Sequence, residues 1–115
     1  MRIGERRLGD VAVVDLAGKF TVVTKPGRVT DVIHELVFSG CRHIVLNLAD
    51  VRYIDSSGLG ELVSCYLAAE RQGCKIKLAN LDGRMKDVLV LTRLLSLFES
   101  HPSEDAAILS FASAA

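Results

Sequence analysis

The spacing of apolar positions changes several times along this chain, and each change marks an element. Leu8 to Ala17 reads as a hairpin and strand: Gly9-Asp10 supplies a turn, Val11-Ala12-Val13-Val14-Asp15-Leu16 a β-rich run, and Gly18 its end. Lys19 to Arg28 is polar and carries the turn signal Lys25-Pro26-Gly27, which predicts a loop. Val29, Val32, Ile33, Leu36 and Val37 then step at i, i+3, i+4, i+7 and i+8, the face of an amphipathic helix stopped by Ser39-Gly40. His43-Ile44-Val45-Leu46-Asn47-Leu48 is a strand-length run apolar on both faces, which predicts helices above it, below it or both. Asp50 to Ile54 reads as a bridge to a second helix from about Ser57 to Gln72, faced by Leu59, Leu62, Val63, Tyr66 and Leu67 and stopped by Gly73.

The second half continues the alternation. Cys74 to Leu78 places Ile76 and Leu78 on one face and Lys75 and Lys77 on the other, a half-exposed strand with two solvated lysines. Asn80-Leu81-Asp82-Gly83 is a loop, with Asp82 as the cap of a third helical stripe at Met85, Val88, Leu89, Thr92 and Leu95. A short strand is expected at Leu97 to Glu99. Pro102 breaks the chain, and Ser103-Glu104-Asp105 opens a last helix through Ala106, Ala107, Leu109, Ser110 and Phe111, with Ala112 to Ala115 fraying. Strands alternating with helices imply an α/β fold. The expected sheet is mixed, mostly parallel through crossovers, with an antiparallel N-terminal edge and about four helices.

Composition narrows the function. With 115 residues, one domain spanning residues 1–115 is expected. Burying roughly two-thirds of its unfolded surface, such a domain needs no staples. Aromatic residues make up only 5% of the chain, so Val, Leu, Ile and Ala build the core. The formal net charge of zero speaks against a general nucleic-acid binder, which needs excess Lys and Arg to displace counterions. No apolar stretch approaches the roughly 20 residues that span a bilayer. Met1 to Arg7 is charged with no apolar run behind it, unlike a signal peptide, so the expected location is cytoplasmic and away from membranes. Cys41, Cys65 and Cys74 are odd in number and far apart, without a Cys-x-x-Cys pair. They read as reduced, small apolar fillers, and no metal or cofactor is expected.

The candidate chemistry lies in Asp55-Ser56-Ser57-Gly58-Leu59-Gly60, between the central strand and the second helix. Asp and Ser ahead of a helical face cap it, because their oxygens accept from unpaired backbone N–H groups. A serine there is exposed and near the positive end of a helix dipole, within reach of a modifying enzyme. Simple capping accounts for the same residues and is compatible with modification. A nucleotide loop is not matched: Gly58 and Gly60 lack the third glycine, position 63 being Val, and no Gly-Lys-Ser or Gly-Lys-Thr is present. A nucleophile elbow needs Gly two residues before the serine, where Asp55 stands ahead of Ser57. No spacing singles out His34, His43 or His101 as a base, and each reads as a solvated or core-edge histidine.

Ile44-Val45-Leu46-Asn47-Leu48 followed by Ile54-Asp55-Ser56-Ser57-Gly58-Leu59-Gly60 opening a helix resembles the STAS domain of bacterial anti-sigma factor antagonists. Element order, length and Gly18 extend the resemblance over nearly the whole chain. It implies a non-enzymatic, partner-switching regulator of transcription and stress response. Unphosphorylated, such a protein binds an ATP-dependent serine kinase that doubles as an anti-sigma factor, releasing a sigma factor. Phosphorylation undoes the binding, and a metal-dependent serine/threonine phosphatase reverses the modification. The resemblance puts the phosphoacceptor at Ser57, with Ser56 next. Asp55, Ser56, Gly58 and Leu59 would face the partner, with Lys19 and Thr21 from the loop after Gly18. Many antagonists carry an acidic residue just after that glycine, whereas Lys19-Phe20-Thr21 follows it here. The alternative within the family is a scaffold or transporter-associated module that binds protein without a phosphorylation cycle. A nucleophilic use of Ser57 is the enzymatic alternative. The strand near Leu8 offers an edge for pairing with a second copy.

Overall fold

A computed structural model of the chain describes residues 1–21 and 28–112. The expected turn at Lys25-Pro26-Gly27 and the last three residues of the tail lie outside them. The elements run β1 (Arg2–Leu8), β2 (Val11–Phe20), α1 (Arg28–Phe38), β3 (His43–Ile54), α2 (Ser56–Arg71), β4 (Lys75–Ala79), α3 (Gly83–Leu91), β5 (Glu99–His101) and α4 (Glu104–Ala112). The five strands form one sheet in the order β1-β2-β3-β4-β5. β1 pairs antiparallel with β2 through the Gly9-Asp10 turn, and the remaining pairs are parallel. This is the mixed sheet with an antiparallel edge that the alternation implied.

Sheet order decides where the helices go. Strands β2 to β5 are added one beside the next, so crossovers of one hand stack their helices on one face. Buried residues of α1, α2 and α3, including Ile33, Leu36, Leu62, Cys65, Met85 and Leu89, share one core with Leu16, Ile44, Leu46 and Leu78. The chain passes to the opposite face of the sheet after β5. There α4 seals it, with Ala107 packed on Val11, Val13, Val45 and Ala79. Cys41, Cys65 and Cys74 are buried free thiols, and burial pushes Cys65 and Cys74 up to about 12. Among the described residues, no helix is long and apolar enough to cross a membrane.

Three expectations fail, each for a physical reason. Gly18 does not end β2, and Asp50 to Ile54 is not a bridge: β2 and β3 pair on to Phe20 and Ile54. Gly18 sits at φ 106°, beside a register shift. It takes up a bulge that bends the pair without ending it. The extension passes beyond β4, whose pairing with β3 stops at Asn47–Ala79. It is therefore partly exposed, and its polar sequence reads as loop. The third helix ends at Leu91, where Arg93 at φ 62° turns the chain, so Leu95 packs on the core from a turn and β5 begins only at Glu99.

Lys77 is the third correction. It is 7% exposed, against the solvated position its alternation implied. Helix α4 lies over that face: Lys77 Nζ donates to Ser110 Oγ at 2.7 Å, pairs with Glu99 Oε2 at 2.8 Å and lies 4.2 Å from the Phe111 ring centroid. Glu99 also meets His101 Nε2 at 2.6 Å. The hydrogen bond from Lys77, then that from His101, lowers Glu99 to about 2. A carboxylate held below its unfolded value stabilises the fold above the ordinary carboxylate range, and the gain is lost as pH falls toward that lowered value. Lys77→Met is therefore expected to flatten the loss of stability between about pH 4.5 and 2, read from urea midpoints across that range. An unchanged acid slope in that variant would show that the pair does not set it.

Candidate functional site

Helix α2 starts where β3 ends, and the chain's own carboxylate organises the junction. Asp55 is the N-cap in extended conformation, with Oδ1 accepting from Gly58 N at 2.9 Å and its carbonyl accepting from Leu59 N at 2.9 Å. One unpaired donor of the first turn is thereby satisfied. Ser56 and Ser57 are the first two helical residues. Ser56 is exposed. Ser57 is half-buried, less open than the turn implied, because its side chain folds back and Oγ donates to Asp55 Oδ1 at 2.6 Å. Among the described residues its hydrogen-bonding neighbours include Asp55 and Thr21, and it is not a member of the apolar core.

The third member follows the end of β2. Thr21, directly after Phe20, donates from Oγ1 to Asp55 Oδ2 at 2.9 Å and stands 3.2 Å from Ser57 Oγ. Thr21, Asp55 and Ser57 thus close a triangle of side chains 34 and 36 residues apart from Thr21 in sequence. The extended β2–β3 pair brings them together by carrying Phe20 alongside Ile54. Bonds from Ser57, then Gly58, then Thr21 hold the Asp55 carboxyl below its usual range, so it is ionised at neutral pH. Lys19 is exposed on the same strand, and Leu59 is half-buried at the edge of the core. A groove of about 250 Å³ adjoins the junction where β3 faces α3, lined by apolar Ile54, Met85 and Val88 and by exposed Arg52, Tyr53 and Arg84.

Two glycines of the motif have different duties. A Cβ on Gly58 would lie 2.0 Å from the Phe20 carbonyl oxygen, so the helix start rests directly on the end of β2. A Cβ on Gly60 would meet nothing within 4 Å. Sequence reading missed Glu61, one turn further on. It is 7% exposed, and its Oε2 accepts from Val29 N at 2.7 Å and Thr30 N at 3.1 Å. A carboxylate of α2 thereby caps α1 and locks the two helices beneath the serine. The only local hint was a charged residue beside the apolar Leu62 on the helix face. Of the histidines, His34 is exposed, His43 stacks on Phe111 at 4.5 Å between centroids, and His101 is held by Glu99. All three stand apart from the triangle's hydrogen bonds.

A family model described as the STAS domain matches residues 5–107. The fold is similar to that of a candidate anti-sigma factor antagonist of Thermotoga maritima, with 22% identity, coverage of 94% of this chain and 92% of that one, and a TM-score of 0.82. It is similar to the anti-sigma factor antagonist SpoIIAA in its unphosphorylated form, with 16% identity, coverage of 97% and 98%, and a TM-score of 0.72. The phosphorylated form of the Bacillus cell fate determinant SpoIIAA matches at 20% identity, 91% and 96% coverage, and a TM-score of 0.68. A sulfate transporter family protein of Wolinella succinogenes matches at 16% identity, 90% and 85% coverage, and a TM-score of 0.72. Identities this low establish a shared fold.

Proposed function

The chain belongs to the STAS domain family, and from that premise we propose that it is a cytoplasmic anti-sigma factor antagonist switched by phosphorylation of Ser57. Unmodified, it binds a serine kinase that is also an anti-sigma factor; phosphorylated, it lets go; a serine/threonine phosphatase resets it. It acts by binding and catalyses nothing itself. One observation carries the reading: the Ser57 hydroxyl lies in a polar niche at a strand end, tied to Asp55 at 2.6 Å, outside the apolar core. SpoIIAA, whose fold this chain shares, has an unphosphorylated and a phosphorylated form, and a reversible charge at this junction is physically sound here too.

A phosphoryl group adds about 1.5 to 2 negative charges and three strong acceptors. At a helix start, the dipole and unpaired N–H groups favour that charge by about 0.3–1 kcal/mol. The fold should therefore survive, and the effect falls on whatever covers the junction. Arg52, Tyr53 and Arg84, with Asp82 at the helix start of α3, give a docking face at the adjoining groove its charged and aromatic rim. Ser57 is favoured over the more open Ser56 because its hydroxyl alone is aimed by the triangle. The test is to incubate the chain with ATP and the serine kinases of its own genome and to map the added phosphate by mass spectrometry. Phosphate on Ser57 supports the reading. A chain left unmodified by every such kinase returns it to a protein-binding module without a phosphorylation cycle.

A further inference from the structure

We infer that the groove between α1 and the second half of α2 is a further docking site, and that its occupant is an acidic amphipathic helix of another protein. The groove encloses about 780 Å³. Phe38 stands in its wall with 95% of its surface exposed, and Leu67 opposite on α2 is 45% exposed. Scattered single apolar residues on a surface need no explanation, but these two line one concavity together with half-buried Val37 and Ala68. The small residues Ser64 and Gly40 leave room for an incoming backbone. Thr30 to Phe38 on α1 and Ser64 to Arg71 on α2 each rise about 10–12 Å, so the walls match roughly two turns of an added helix. Such a helix would lay apolar residues at i, i+3 or i+4 and i+7 against Phe38 and Leu67.

Charge selects the occupant. His34, Arg42 and Arg71 line the groove, all three exposed, and no aspartate or glutamate is among its lining residues. On a chain with zero net charge, that one-sided lining is a local departure. Arg42 gives Nη1 to the Gln72 carbonyl at 2.9 Å and keeps its other N–H groups. The Arg71 side chain has no hydrogen bond or ion pair among the described residues. Glu70, beside it in sequence, is drawn to Lys75 at 3.4 Å. Arg7 adds a further cation next to Phe38, where its Nη2 donates to Ser39 Oγ at 3.4 Å. Carboxylates flanking the apolar stripe of a partner helix would find these guanidinium groups open to bidentate pairing. Ser57 begins α2 and Arg71 ends it, about 21 Å apart along the helix axis. The groove is therefore separate from the serine junction, and its occupancy does not depend on the charge there.

The test uses a fluorescein-labelled peptide of about 18 residues, or roughly five helical turns, with leucine along one face and glutamate on both flanks. A second peptide carries lysine in place of each glutamate. The protein is titrated into each, and binding is read by fluorescence anisotropy. The acidic peptide is expected to bind at least about tenfold tighter than the basic one, and to weaken as salt is raised. Phe38→Ala and Arg71→Glu are each expected to weaken it by about tenfold, with Tm unchanged because both side chains lie in solvent. Ser57→Asp is expected to bind it like wild type, which keeps this result distinct from that of the serine switch. No binding of the acidic peptide, equal binding of the two peptides, or wild-type binding by both groove variants overturns the inference. Sedimentation equilibrium and flotation with phosphatidylcholine–phosphatidylglycerol vesicles test other occupants. A dimer that Phe38→Ala dissociates would assign the groove to a second copy of this chain. Vesicle binding that Arg71→Glu abolishes would assign it to an anionic lipid surface, and either result overturns the inference.

Discussion

Gly58→Ala is expected to destabilise the protein by roughly 2–4 kcal/mol, at the upper end of what overpacking costs. A methyl group there would lie 2.0 Å from the Phe20 carbonyl oxygen, 2.8 Å from its carbonyl carbon and 3.0 Å from its Cδ1. Two of those atoms are backbone, so no side-chain rotation relieves the clash. Either α2 lifts off β2, or the last pair of the β2–β3 extension, Phe20–Ile54, opens. Both routes disturb Thr21 and with it the triangle on Asp55. For a domain of this size the loss corresponds to a Tm lower by roughly 10 °C or more. Gly60→Ala is the matched control. Its Cβ meets nothing within 4 Å, and replacing a helical glycine by alanine gains about 0.5–1 kcal/mol. Thermal unfolding of the two variants side by side checks both signs. Equal Tm values would mean that α2 does not rest on Phe20 as closely as the geometry has it.

How far these features were legible follows from how local they are. The Asp55 cap, the Ser57 position and the start of α2 are set within four residues, and helix-start chemistry alone exposes them. α1 was readable because one face of it is apolar at helical spacing over three turns. What escaped depends on distant chain. Lys77 is polar on a strand that reads as half-wet, and only α4, arriving more than thirty residues later with Ser110 and Phe111, turns that face inward. Residues 50–54 pair only because Gly18 bulges and lets β2 follow them past the sheet edge. Glu61 is ordinary helix surface until α1 presents two unpaired N–H groups to it. Thr21 belonged to a loop inferred to face a partner, yet its bond to Asp55 makes it part of the serine's own setting. Local propensity cannot report such pairings, because each is created by the topology that joins the halves.

Ser57→Ala and Ser57→Asp are expected to part company in the kinase complex while both remain folded. Alanine removes the acceptor hydroxyl but leaves Asp55 accepting from Gly58 N, so α2 keeps its cap and no negative charge is added to the docking face. That variant should bind the kinase at wild-type affinity and not be released by ATP. Aspartate puts a second carboxylate beside Asp55, where Ser57 Oγ now lies 2.6 Å from Oδ1. The repulsion is relieved in the free protein by turning the new side chain toward water. In the complex that escape is closed, and a charge forced out of water without a partner costs several kcal/mol. At ~3 kcal/mol the affinity would fall by more than about a hundredfold. Calorimetric titration of both variants into the kinase decides the matter, with far-ultraviolet circular dichroism confirming that each is folded. Equal affinity would mean that charge at Ser57 does not control docking. In that event the junction is a capped helix start, and the family's protein-binding surface has to be sought elsewhere on the sheet.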